Sequence, residues 1–292
     1  MMIAIQNVFR YFVVNSTNRE YKKYKVNSVH GPLCPNAKGD NKMALLISNE
    51  EYKNGLDALY ELIPPRVKPL VSFLENKIFP IMKEKSTFLD IGAASGDLTK
   101  IIAPCFQSTT VVDEKHIFEY IYNKHGFDYY IGDFMNYNSK KKFDMILCSH
   151  VYYHVPIDQL EAFTKKMLSI LKPNGILVVA LTAPRGANHH LCLSLNKDYI
   201  HSEKIINILN KLNVSAEKES STFKISTNDF QKIYAMCKLF ISVDCFANSS
   251  DKLTEKQVET ISKKINDYVL STKQDNIYVY LYEEDYLVIR NS

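Results

Sequence analysis

The sequence predicts a doubly wound α/β fold: a mostly parallel sheet with helices on both faces, preceded by a helical extension. Two observations carry this. First, Thr87-Phe-Leu-Asp-Ile-Gly-Ala-Ala-Ser-Gly-Asp-Leu-Thr99 runs from a short apolar stretch through small residues into a helical pattern. Strand, tight glycine turn and helix in that order make room for a nucleotide at the carboxyl end of a parallel strand. Second, nearly continuous apolar runs alternate with helical periodicity up to residue 182, the pattern of strands buried on both faces.

In chain order, residues 1–45 are weakly patterned. Val8 to Val14 fits a strand or a helical turn, and Gly31 to Asp40 reads as a loop. Tyr52, Leu56, Leu59, Tyr60 and Ile63 recur at three- and four-residue spacing, which predicts a helix ending at Pro64-Pro65. A second helix is expected from Arg66 to about Phe79. Past the glycine turn, a short helix is expected over Leu98 to Phe106 and a strand over Thr109 to Asp113. A helix over Glu114 to His125 and a strand over Asp128 to Asp133 come next. Phe143 to His150 reads as a buried strand, Ile157 to Leu171 as an amphipathic helix closed by Lys172-Pro-Asn-Gly175, and Ile176 to Leu181 as another buried strand. Residues 183–225 read as an irregular insert. Ser226 or Thr227 would cap a helix reaching about Leu239. A strand over Phe240 to Phe246, a lysine-rich helix over Thr254 to Leu270, and two strands flanking Glu283-Glu-Asp285 complete the expected order. This divides the chain into an extension with a helical cap, 1–85, and an α/β domain, 86–292.

Composition narrows the function. Of 292 residues, 46% are hydrophobic, enough for a substantial core. The net charge of +4 is too small for a dedicated nucleic-acid binder, and the only short basic runs are Lys22-Lys-Tyr-Lys25 and Ser139-Lys-Lys-Lys142. No two of the six cysteines form a CxxC, which gives no support to a zinc or thioredoxin-like motif. The first fifteen residues lack a basic start and a small-residue cleavage site, and no run of about 18 apolar residues occurs. The expected setting is therefore a reducing cytosol, away from membranes.

Three acids stand at strand ends. Asp90 lies near the end of the first strand. Asp113 ends the second, 21 residues after Gly92, the spacing of the acid that holds ribose hydroxyls in nucleotide folds. Asp133 ends the third, where it could accept a hydrogen bond from an adenine amino group. A dinucleotide motif is absent, because Gly92 and Gly96 form GxxxG and not GxGxxG.

Leu89-Asp-Ile-Gly-Ala-Ala-Ser-Gly96, Val112-Asp113, Gly132-Asp-Phe134, Phe143-Asp-Met-Ile-Leu-Cys-Ser-His150 and Leu171-Lys-Pro-Asn-Gly-Ile-Leu177 resemble the successive motifs of class I S-adenosylmethionine-dependent methyltransferases. The resemblance covers residues 86–182, and it departs from the family at Ala94, where the family has the middle glycine of its turn. It implies a Rossmann-like, mostly parallel seven-stranded sheet with an antiparallel last strand, and S-adenosylmethionine as cofactor. It further implies that Gly92, Ala94 and Gly96 pack against the methionine part, that Asp90 organises the turn or meets the amino group, and that Asp113 and Glu114 hold the ribose. Asp133 and Phe134 would frame the adenine, and Ser149 and His150 would line the transfer pocket.

The acceptor is read from what surrounds these motifs. A general base is needed only if the acceptor carries a proton, and His150 is the candidate, with Tyr153 beside it. Tyr152 and Tyr153 could instead surround an amine or planar ring. Arg66 and Arg185 are candidates to pair with a substrate carboxylate. His189, His190 and His154 read more simply as structural. No Asn-Pro-Pro-Tyr or Asp-Pro-Pro-Tyr follows the fourth strand, which argues against adenine methylation in nucleic acid. The order of parts loosely resembles small-molecule enzymes of the histamine N-methyltransferase kind. The expected activity is methyl transfer to a small-molecule nitrogen or oxygen nucleophile. The alternatives are an RNA or protein methyltransferase, favoured if the two basic runs share a face with the pocket, and a non-catalytic interaction subunit.

Overall fold

The computed structural model describes residues 43–44, 46–62, 67–247 and 253–291. The expectations placed on Val8 to Val14, Lys22 to Lys25, Gly31 to Asp40, Cys34, Pro64-Pro65 and Arg66 lie outside these residues. The sheet is built from β1 (Thr87–Ile91), β2 (Ser108–Asp113), β3 (Asp128–Ile131), β4 (Phe143–Ser149), β5 (Leu171–Thr182), β6 (Glu217–Thr227) and β7 (Ile277–Arg290). Their order is β3-β2-β1-β4-β5-β7-β6. The first five run parallel, while β7 is antiparallel to both β5 and β6. The two-residue strand Lys273–Gln274 adds to β7, and Met43–Ala44 pairs separately with Leu253–Thr254.

Alternation along the central strands puts an apolar set on each face. Leu89, Ile91, Ile146, Cys148, Leu177 and Val179 join the larger core. Phe88, Met145, Leu147, Ile176, Val178 and Ala180 join the other. The helices α1 (Asn49–Leu62), α2 (Val67–Phe73), α3 (Asp97–Ile102), α4 (Glu119–Lys124), α5 (Leu160–Ser169), α6 (Gly186–Leu195), α7 (Ser202–Lys211), α8 (Phe230–Asp244) and α9 (Glu255–Ser271) supply the covering layers. Leu70 and Leu74, with Ile102 of α3, close the second core, whereas α5, α6, α8 and α9 close the first. Helix α1 lies on α8 with no room between them: a Cβ at Gly55 would stand 2.8 Å from the Leu239 Cβ. The expected helix after α1 changes character along its length, passing from α2 into a π turn over Leu74–Ile78 and a 3-10 turn over Phe79–Ile81.

The second half departs from expectation in four places. Phe240 to Phe246 is no strand; up to Asp244 it continues α8 and then turns, because Phe240, Ile241 and Val243 are buried and a helix buried all round loses its polar face. The cap of α8 is Asp229, whose carboxylate accepts from the N–H groups of Gln231 and Lys232, while Ser226 and Thr227 belong to β6. The supposed insert at 183–225 contains α6, α7 and most of β6; that strand alternates weakly, since its outer face is polar and exposed. The two expected terminal strands are one, β7, running through Glu283-Glu-Asp285. The acids stay in the strand because each is paired. Arg185 reaches Glu283 and Asp285, and His150 reaches Glu284.

Candidate active site

The turn after β1 is held from several directions. Gly92 and Gly96 have φ of 68° and 64°, a region open to glycine at little cost. Ala94, between them, also lies in the left-handed region at φ 47°, which costs an L-residue about 1–2 kcal/mol. Two contacts hold it there: its N–H donates to Oδ2 of Asp113 at 2.7 Å, and its carbonyl accepts from the Tyr122 hydroxyl at 2.6 Å. Asp113 also accepts the Lys115 N–H on Oδ1 at 3.0 Å. A carboxylate offers about four lone-pair directions, so further donors can be met. Asp90 takes a different part. It is buried and accepts from the Thr99 hydroxyl at 2.6 Å, tying β1 to α3 beneath the turn.

A cavity of about 290 Å³ opens at this edge. Of the residues expected at a cofactor, Gly92, Ala94, Asp113, Glu114, Asp133 and Phe134 line it, as does His150. Asp133 caps the short turn that carries Phe134, accepting from the Met135 N–H at 2.8 Å. Lys115, His154 and Gln159 add polar groups, and Val151, Val155, Phe163 and Val243 add apolar ones. Sequence reasoning missed Lys115, Gln159, Phe163 and Val243, and treated His154 as structural. Only His154, next to the strand-end motif, carried a signal in the chain. Burial pulls the Lys115 ammonium down to about 8, opposed by Asp113 and Glu114.

Other expected residues sit elsewhere. Asp90, Gly96 and Ser149 support the walls without bordering the space. Tyr152 is buried against Phe163 and bonded to Thr164, a core position that does not line the cavity. Tyr153 is equally buried. Its oxygen accepts the Thr182 N–H at 2.6 Å and lies 2.7 Å from the Thr182 hydroxyl. Burial raises its phenol well above the usual value, so it keeps its proton and is unsuited to act as a base. Arg185 is held by Glu283 and Asp285, which secure α6 to β7, and it does not line the cavity. His189 packs with Tyr199 and His201, a ring cluster likewise outside the cavity wall.

His150 follows β4 with φ 55°. Its Nε2 meets Glu284 Oε1 at 2.9 Å, both side chains being buried, and its Nδ1 lies 3.4 Å from the Tyr153 hydroxyl. It is thus the expected catalytic residue that borders the cavity.

This sheet order, with a glycine turn after β1 and an acid closing β2, defines a Rossmann-like class I methyltransferase fold that uses S-adenosylmethionine. The chain belongs to the methyltransferase-domain family, whose profile matches residues 64–212, half its length. Among solved structures it is similar to a Bacillus halodurans protein assigned as a methyltransferase, at 16% identity and a TM-score of 0.53, over 76% of this chain and 98% of that one. It is also similar to the YcgJ protein of Bacillus subtilis, at 14% identity and a TM-score of 0.51, over 74% and 97%. A third similar structure is the N-methyltransferase NodS of Bradyrhizobium japonicum in complex with S-adenosylhomocysteine, at 15% identity and a TM-score of 0.45, over 82% and 98%. No curated protein sequence matches. Among the described residues no helix is long and apolar enough to cross a membrane.

Proposed function

We propose that the chain transfers a methyl group from S-adenosylmethionine to a small molecule through a nitrogen or oxygen nucleophile. The observation that carries this reading is the shared wall: Gly92, Ala94 and Asp113 line the same cavity as His150, His154 and the apolar residues Phe163 and Val243. The cofactor supplies an electrophilic methyl on a sulfonium, and the protein's task is alignment in a dry space.

In this reading the turn Gly92 to Gly96 faces the methionine part. Asp113 and Glu114 take the ribose hydroxyls, while Asp133 and Phe134 frame the adenine. His150 removes the acceptor's proton. Helix α1, packed on α8 whose Val243 lines the cavity, forms part of a cap over it. The Lys140 to Lys142 run does not line the cavity, and Lys141 pairs instead with Asp128 at 3.3 Å. That favours a small acceptor over a polyanion.

Calorimetry with S-adenosylmethionine and S-adenosylhomocysteine tests the cofactor, and a screen of small amines, phenols and carboxylates for S-adenosylhomocysteine release tests the acceptor. Binding of neither cofactor form would sink the enzyme reading. Turnover with RNA or a protein, and with no small molecule, would replace the acceptor class.

A further inference from the structure

The strand order sorts the cavity wall by charge. Strands β2 and β3 lie on one side of β1, and β4 lies on the other. Among the described residues four charged side chains line the cavity, and all four end or follow β2 or β3: Asp113, Glu114, Lys115 and Asp133. From β4 onward the lining changes. His150, Val151, His154 and Val155 come after β4, Phe163 comes from α5 and Val243 from α8. Beyond Asp133, no described lysine, arginine, aspartate or glutamate borders the space.

Charged groups do stand close to this second side, but they are engaged inside the protein. Glu284 Oε1 meets His150 Nε2 at 2.9 Å. Asp244 comes directly after Val243, yet its Oδ2 accepts from the Asn188 amide at 2.6 Å and from the Thr182 hydroxyl at 3.0 Å. Arg185 is paired with Glu283 and Asp285. The other arginine expected to meet a substrate carboxylate, Arg66, lies outside the described residues. An ion brought against such a wall gives up hydration and meets no opposite charge, which is costly. A neutral molecule avoids that cost and gains by covering Val151, Val155, Phe163 and Val243. The first side is different. Three acids against one lysine leave it net acidic, which suits a cofactor that carries a sulfonium and an ammonium against a single carboxylate.

We infer that the side of the cavity built from β4, α5 and α8 selects an uncharged, largely apolar acceptor, one that offers a hydroxyl or a nitrogen too weakly basic to be protonated at neutral pH. Amino acids, carboxylated metabolites and alkylammonium ions are rejected there. This rests on the methyl-transfer reading above, which puts the cofactor on the acidic side.

The test uses matched triplets: a hydroxymethyl, a carboxylate and an aminomethyl group, each carried on benzene, naphthalene and quinoline. Their affinities are measured by ligand-observed NMR on the full chain saturated with S-adenosylhomocysteine, whose sulfur is neutral, so that the wall alone sets the ranking. The hydroxymethyl member should bind about 10-fold or more tightly than either charged partner. Charged members that bind as tightly as the neutral ones, through Arg66 or any other group, would overturn the inference, as would binding by no neutral member. Val151→Lys places a cation on this wall at a half-buried position. It should improve the carboxylate members about 10-fold relative to the neutral ones, and an unchanged ranking would also count against the inference. The wild-type ranking decides the matter even if Val151→Lys fails to fold. Calorimetry separates the two readings. No binding of S-adenosylhomocysteine would remove the methyl-transfer reading and this inference with it, whereas binding with the wrong ranking would remove the inference alone.

Discussion

Asp113 and Ala94 are joined by one hydrogen bond, yet they give opposite predictions. Asp113 spends one lone pair on Ala94 and another on Lys115, and in the proposed site the rest meet ribose hydroxyls. Replacing it by Ala should weaken S-adenosylmethionine binding about 10- to 100-fold, the scale of one or two charge-assisted hydrogen bonds. Calorimetry reads this directly, and undiminished affinity would detach Asp113 from the cofactor. Ala94 is a strained residue in the same turn. Glycine there would remove a cost of about 1–2 kcal/mol while adding about 0.5–1 kcal/mol of unfolded-state freedom. The Ala94→Gly melting temperature should therefore rise by about 1–3 °C. A fall would mean that the alanine methyl contributes packing that the strain estimate omits.

At the scale of elements, Asp144 shows how the parallel strands are kept in register. It is the second residue of β4, and its Oδ2 accepts from the N–H groups of Ser86 and Thr87, from the Thr87 hydroxyl and from the Lys172 ammonium. Burial alone would raise this carboxyl. The hydrogen bonds from Lys172 and Thr87 outweigh it and hold the group below its ordinary value. Because one side chain satisfies donors from β1 and β5 together, Asp144→Ala should cost about 1–3 kcal/mol, leaving part-buried donors unmet. Thermal melts should show a fall of about 5–10 °C with the helical signal retained. The terminal strand obeys the same logic. Asp285, fully buried, accepts from Arg185, Ser202 and Ser220, and so carries β7 through a stretch of three acids.

For the whole molecule these pairings predict a pH dependence of stability. Asp144 and Asp285 are both lowered in the folded state, so their contribution is complete above the ordinary carboxylate range and is lost as pH falls through the lowered values. His201 acts at higher pH. Burial, helped by His189 and Lys204, lowers it to about 4 from an ordinary value of 6.5. The unfolded chain then binds the proton first, and stability declines as pH falls from about 6.5 towards about 4. The wild-type melting temperature should begin to drop below about pH 6.5, and His201→Phe should remove that early part while keeping the steeper loss in stronger acid. A wild-type curve that stays flat down to about pH 4 would contradict a lowered His201 in the folded state.

Much of the fold was legible because the relevant signals are local. The apolar runs of β1, β2, β4 and β5 are buried on both faces and so read as strands without reference to anything distant. The glycine turn and the acid 21 residues beyond Gly92 likewise lie within one strand–helix–strand unit. Those short-range features were enough to determine the class of fold and the cofactor. The rest depended on contacts far apart in sequence. Glu284 looked like a turn acid until β7 placed it against His150, 134 residues away. Arg185 looked available until Glu283 and Asp285 took it, and Tyr153 looked catalytic until Thr182 claimed its hydroxyl. The apolar run at Phe240 to Phe246 has no periodicity that separates a buried helix from a buried strand, and only packing against α1 and the sheet settles it. The sequence by itself therefore determined the sheet's parallel half and the glycine turn that lines the cavity. Only the tertiary structure decided which charged and hydroxylic side chains stand at the cavity and which are consumed in holding strands together, because a polar group's role depends on the partner that reaches it.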